Sequence, residues 1–156
     1  MLVSPFFKRG HLKQSDQQAI LEEVVGRIVA EAPVGWSRMV YSLESVIDHA
    51  TESLLVEFAS GETEDKWAPD EIALLLGELR AGMYQEGKGT WFSLRCTINS
   101  QGGFTVDYNY DQDPQIVFPT AQGFTNDLKY FPRDDEHIPE WLREKLREEA
   151  EGRVLE

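Results

Sequence analysis

The chain carries one cysteine, Cys96, and three histidines in 156 residues. A lone thiol cannot close an internal bridge, so a disulfide framework is excluded and a reducing compartment, the cytoplasm, is expected. His11, His49 and His137 are scattered over a terminal arm, a loop and a turn. None stands within metal-ligand spacing of another histidine or of Cys96, so no metal and no cofactor is expected. No window approaches the ~18 continuous apolar residues of a membrane span. The run Ser4-Pro5-Phe6-Phe7 is too short for a signal-peptide core, and Lys8-Arg9 follow it instead of preceding it. Serine nucleophile elbows, phosphate loops and dinucleotide fingerprints are missing, and Gly102-Gly103 and Gly87-x-Gly89 lack the helix start needed to hold phosphate. Between residues 100 and 126 there is neither lysine nor arginine.

What the chain has in excess is acid. Its net charge of −13 is uneven: residues 1–40 hold five basic and four acidic groups, residues 41–156 ten and twenty-four. Such a field keeps a protein in solution, repels nucleic acid and anionic lipid, and draws in basic proteins. With 41% apolar residues and four tryptophans, a core without disulfide or metal is expected. One domain over residues 1–156 is the simplest division, with an N-terminal arm at 1–13 and a frayed tail at 149–156.

Hydrophobic periodicity supplies the elements. Ser15-x-x-Gln18 fits a capping box, and Ile20, Leu21, Val24, Val25 and Ile28 form a helical stripe ended by Pro33 and Gly35. Alternation predicts strands over 36–43 and 53–59, the second covered on both faces, with an acidic turn at 61–66. Pro69 at a first helical position and Asp70-Glu71 in the first turn open a second helix, whose stripe is Ile72, Leu75, Leu76, Leu79 and Met83. Strands over 90–98 and 104–110 flank a Gly102-Gly103 turn. A short helix near 122–130 and a last one from Pro139, lined by Ile138, Trp141, Leu142 and Leu146, complete the order αββαββαα. That order predicts an α+β fold: an antiparallel sheet of about four strands with helices packed against it.

Chemistry-bearing groups are sparse. Cys96, between Leu94 and Ile98 on an apolar strand face, reads as a small hydrophobe, not a nucleophile. Asp107, Asp111 and Asp113 admit several readings. A calcium loop would need a glycine at its sixth position and a terminal glutamate, both missing, and it would put a ligand where Phe118 stands. A carboxylate dyad needs a cleft the sequence cannot show. A solvated strand end explains the three acids simply. So does an interaction surface in which Asp107, Asn109, Tyr110, Asp111 and Asp113 meet a partner's basic groups, with Glu62, Asp65 and Trp67 a second patch. No residue is assigned a catalytic role and no small-molecule substrate is expected.

Several pieces, in this order, resemble the YezG-like antitoxin or immunity family of bacterial polymorphic toxin systems. They are Trp36 after a Pro-x-Gly turn, Gly89-Thr90-Trp91, Tyr108-Asn109-Tyr110-Asp111, Phe131-Pro132-Arg133 and Ile138-Pro139-Glu140-Trp141-Leu142. The chain departs from that family in Asn109, where an acid is commoner, and in its N-terminal arm. The resemblance implies a cytoplasmic protein that binds a cognate toxin domain and blocks its active site without catalysis of its own. An acidic secretion chaperone or adaptor for an effector protein is the alternative.

Overall fold

A computed structural model describes residues 8–116 and 121–152. The Ser4–Phe7 run, Phe118 and the last four residues of the expected tail lie outside the described residues. The fold is α+β. α1 (Gln14–Ala30) leads into β1 (Trp36–Val46), β2 (His49–Phe58) and β3 (Thr63–Lys66), then α2 (Ile72–Gly82), β4 (Ser93–Asn99) and β5 (Phe104–Asn109). The chain continues through α3 (Gly123–Tyr130), a single 3-10 turn (Asp135–His137) and α4 (Glu140–Ala150). The strands form one antiparallel sheet in the order β3-β2-β1-β4-β5. No helix among the described residues is long and apolar enough to cross a membrane.

Strand alternation divides the sheet into two unlike faces. Met39, Tyr41, Leu43, Leu54, Val56, Leu94, Cys96 and Ile98 point to one side and are buried with Leu21, Val24 and Ile28 of α1 and Ile72, Leu76 and Leu79 of α2. The other side carries Arg38, Ser42, Glu44, Thr51, Ser53, Arg95, Thr97, Thr105 and Asp107, none of them buried. β2 is therefore covered on one face only, and Leu55 is half-buried on the open side. This corrects the expectation of cover on both faces.

Other expectations are corrected by local geometry. The acidic stretch after Gly61 is not a turn but an edge strand, β3, because Thr63, Glu64, Asp65 and Lys66 pair in register with Glu57, Val56, Leu55 and Leu54. The sheet thus has five strands. Helix α1 starts one residue before Ser15; the Lys13 N–H donates to the Asp16 carboxylate at 3.2 Å, and Ser15 caps nothing. Pro69, Asp70 and Glu71 precede α2, and Glu71 is its N-cap at φ 74°. His49 begins β2 opposite Val46 and is not in a loop.

Two buried guanidinium groups fasten the C-terminal segment to this frame. Arg80 makes two 2.8 Å contacts to the Asp127 carboxylate and donates from Nε to the Trp91 carbonyl at 2.6 Å. Arg80 is 0% and Asp127 2% exposed, and the rings of Phe92 and Phe131 flank the cation at 5.7 and 5.0 Å. Arg133 donates to the carbonyls of Thr90 (3.1 Å), Tyr110 (2.7 Å) and His137 (3.0 Å). Gly89, at φ 93°, leaves room for that guanidinium, and a Cβ there would collide with Nε. Val46, Phe92, Phe124 and Leu142 fill the space beneath, joined by Ile138, Trp141 and Leu146. Glu149 is part of this closure and not of a frayed tail. It is 2% exposed and accepts from the N–H groups of Phe124 and Thr125 at 2.9 and 2.7 Å, capping α3.

A buried charge stripped of its partner is costly, about 3–5 kcal/mol. Arg80→Met should lower unfolding free energy by about that amount in urea denaturation. Adding Asp127→Leu should recover part of the loss, because the stranded carboxylate is then gone. A double variant weaker than the single one would contradict this account.

Candidate docking surface

The β4–β5 hairpin does not present Asp107 and its neighbouring tyrosine side by side. Asp107 and Tyr108 are neighbours in a strand, so the carboxylate points to the open face and the ring to the helix-covered one. Tyr108 packs at 5.9 Å against buried Trp91, and burial pushes its hydroxyl up to about 12. Asn109 is occupied: its Oδ1 accepts from the Gln112 N–H at 2.8 Å and its Nδ2 donates to the Gln112 carbonyl at 2.9 Å. Tyr110 is half-buried against the main core, its carbonyl held by Arg133. The Asp113 carboxylate accepts from the Gln115 N–H at 2.8 Å. Asp111 is 73% exposed with a 3.4 Å contact to Arg133, and its carbonyl accepts the Trp141 indole N–H at 2.8 Å. Asn109, Tyr110 and Asp113 therefore build the loop. Of the five expected contacts, Asp107 and Asp111 are exposed and the other three half-buried.

On the open sheet face Ser42, Glu44, Ser93, Arg95, Asp107 and Asn109 line a cleft of about 360 Å³. Burial raises the Glu44 carboxyl above its ordinary range, and Arg95 partly opposes that shift. Two carboxylates around one guanidinium can exchange ion pairs with a protein surface.

The second patch comes together differently. Glu62, Asp65 and Trp67 follow one another along or beside edge strand β3, and Trp67 is 92% exposed. Nearby, Arg27, Ala30 and Glu31 of the α1 end and Pro69, Asp70 and Glu71 before α2 line a cleft of about 280 Å³. Within it Arg27 is matched by Glu23 at 2.8 Å and Glu71 at 2.9 Å, which leaves Glu31 and Asp70 without an ion pair among the described residues. Val29, Val34 and Leu74 are exposed at 39, 100 and 40% on the two helices and the turn after α1. Sequence reasoning missed Val34 and strand β3. The spacing Thr63-x-Asp65-x-Trp67 with Glu64 and Lys66 between was the available signal. Asp65 and Asp107 lie on the same face but on opposite edges, four strand spacings or about 19 Å apart. They belong to separate patches.

One group of possible cation ligands exists among the described residues: Asp134, Glu136 and His137, with ligand atoms within 4.8 Å of one another. Histidine spacing alone did not reveal it. The Arg133 guanidinium, 3.0 Å from the His137 carbonyl, places positive charge beside it, which opposes a cation.

Cys96 is 1% exposed, and burial pushes its thiol up to about 11 from an ordinary 9.0. It stays protonated near neutrality, where a thiolate nucleophile would need the reverse shift. No protein-family model matches the chain, and no curated protein matches it.

The thiol gives a pH prediction with a definite sign. Between pH 9.0 and about 11 the unfolded chain releases the Cys96 proton while the folded chain keeps it. The folded state binds more protons there, so stability falls as pH rises through that window. Tyr41 and Tyr108, both raised by burial, act in the same direction at higher pH. The urea midpoint should be lower at pH 10.5 than at pH 8, and Cys96→Ala should reduce that difference. An unchanged difference would remove Cys96 from the effect.

Proposed function

We propose that the chain is an immunity protein that binds a cognate bacterial toxin domain and occludes its active site, transforming no substrate itself. The observation that carries this reading is Trp67, an indole 92% exposed at the end of an acidic edge strand. Tryptophan is among the residue types most enriched as interface anchors, and this one is presented beside an acidic strand edge. Asp65 shares its strand face, and Glu62, Glu64 and Asp70 lie within five residues of it in the chain, all exposed. An aromatic centre with an acidic rim suits a basic partner: the ring supplies burial, and the rim speeds encounter and penalises acidic competitors. The resemblance to YezG-like immunity proteins supports the same class, with the cytoplasm as the place of action. The secretion-chaperone alternative predicts a dimer gripping an unfolded effector segment.

Cells expressing the toxin domain encoded beside this chain should survive only when the chain is coexpressed. Trp67→Ala should weaken the purified complex by about 30-fold, the effect of losing a ~2 kcal/mol anchor, with unchanged circular dichroism. Failure of the wild-type chain to protect would remove the immunity reading.

A further inference from the structure

The geometry points to β3 as a docking edge: an extended basic strand of a partner protein adds to it as a sixth strand, with Trp67 closing over the added chain. This rests on the reading above for the partner being a basic protein, and supplies the mode of binding.

Strand order puts β3 at the rim, paired with β2 alone among the described residues. The bond from the Phe58 N–H to the Glu62 carbonyl, 2.9 Å, sets the phase of that ladder. In an antiparallel pair bonded positions alternate, so 62, 64 and 66 bond inward while Thr63 and Asp65 turn N–H and C=O outward. Trp67 is the next position in the outward row. A strand laid against this edge would bond to Thr63 and Asp65 and run beside the indole.

Side-chain charge selects the occupant. Proteins shield edges with lysine, proline, bulges or short strands. β3 is short, but Glu62, Glu64 and Asp65 outnumber Lys66. A second copy of this chain would set Glu64 and Asp65 against their own kind, and like charges directly opposite destabilise a ladder. A strand bearing arginine or lysine meets opposite charge instead. The other edge, β5, lacks an exposed aromatic at its end, since Tyr110 is half-buried there.

The test uses the full chain and three synthetic probes: the peptide Arg-Thr-Lys-Val-Arg-Thr-Lys-Val, its counterpart with Glu for every Arg and Lys, and a version with Pro for every Thr. The proline peptide keeps the charge but cannot donate ladder bonds at those positions. Hydrogen exchange and Trp67 fluorescence are the readouts. The basic peptide should slow exchange at the Thr63 and Asp65 amides and alter indole emission. Trp67→Ala should weaken it by about tenfold or more, and the glutamate and proline peptides should not compete. Binding of the proline peptide with equal affinity, protection confined to other strands, or no binding of the basic peptide would each overturn the proposal. If the peptide fails while coexpressed chain still protects cells, the docking mode falls and the immunity reading stands. If the peptide binds β3 and protection fails, the reverse holds.

Discussion

Arg80 carries a full charge into the interior, and the C-terminal third of the fold is arranged around neutralising it. Its guanidinium joins α2 to α3 through Asp127 and to the approach of β4 through the Trp91 carbonyl. Thr90, one residue earlier, donates its hydroxyl to the Arg80 carbonyl at 2.6 Å. A bidentate contact tolerates little error in distance or plane. The position of α3 is therefore specified by geometry as well as by apolar burial. Arg133 repeats the device one layer out, binding three carbonyls from the β4 approach, the end of β5 and the 3-10 turn. Such groups add little net stability, since desolvation offsets attraction. Their effect is to make alternative placements of α3 and α4 strand a charge.

Helices and core strands were legible because period is a local property. The stripes of α1 and α2 and the apolar faces of β1, β4 and β5 follow from spacings of 3.6 and 2 residues, whatever lies opposite. β3 was not legible. Four polar residues after a glycine read as a turn, and only the neighbouring ladder makes them a strand. Arg80 and Asp127 could not be joined in advance, being 47 positions apart, and an arginine inside an apolar helix stripe looks like an exposed one. Glu149 had the same ambiguity: a carboxylate in a charged terminal helix gives no sign that it caps a helix 24 residues earlier. At the site, the sequence put acids and aromatics at a strand end but gave no sign of which of them fold back on their own loop. Short polar side chains at strand ends satisfy nearby backbone first, as Asn109 does with Gln112 and Asp113 with Gln115.

The open sheet face and the β3 edge are consequences of one topological fact. All the covering helices of the main core, α1 and α2, lie on one side, so the opposite face stays polar and both rims stay unpaired among the described residues. The polar face is stable in water because serine, threonine and paired charges such as Arg38 and Glu57, 3.5 Å apart, line it. A rim with free backbone groups differs, since its donors and acceptors can be matched by another chain as well as by water. An acidic chain with such a rim excludes most accidental partners by charge and leaves basic ones admissible.

Trp67 is exposed by construction and not by looseness. Lys66, before it, is held in the ladder opposite Leu54, while Ala68, after it, packs against the main core and Pro69 is buried. Proline fixes its own φ near −65° and restricts the residue before it, which stiffens the link into α2. The backbone at Trp67 thus has anchored neighbours on both sides, and only the side chain stands in solvent. For the proposed partner, an indole held in place before binding removes part of the ordering entropy that association would otherwise cost. The left-handed conformation of Glu71, φ 74°, lies in the same link. Its ion pair with Arg27 is 65% and 40% exposed on the two sides, and surface pairs of that kind contribute about 0–1 kcal/mol. That is too little to impose a strained backbone by itself. The strain follows from a short connection that must leave an edge strand, bury Pro69 and enter a helix within a few residues, and the same shortness is what keeps the indole presented.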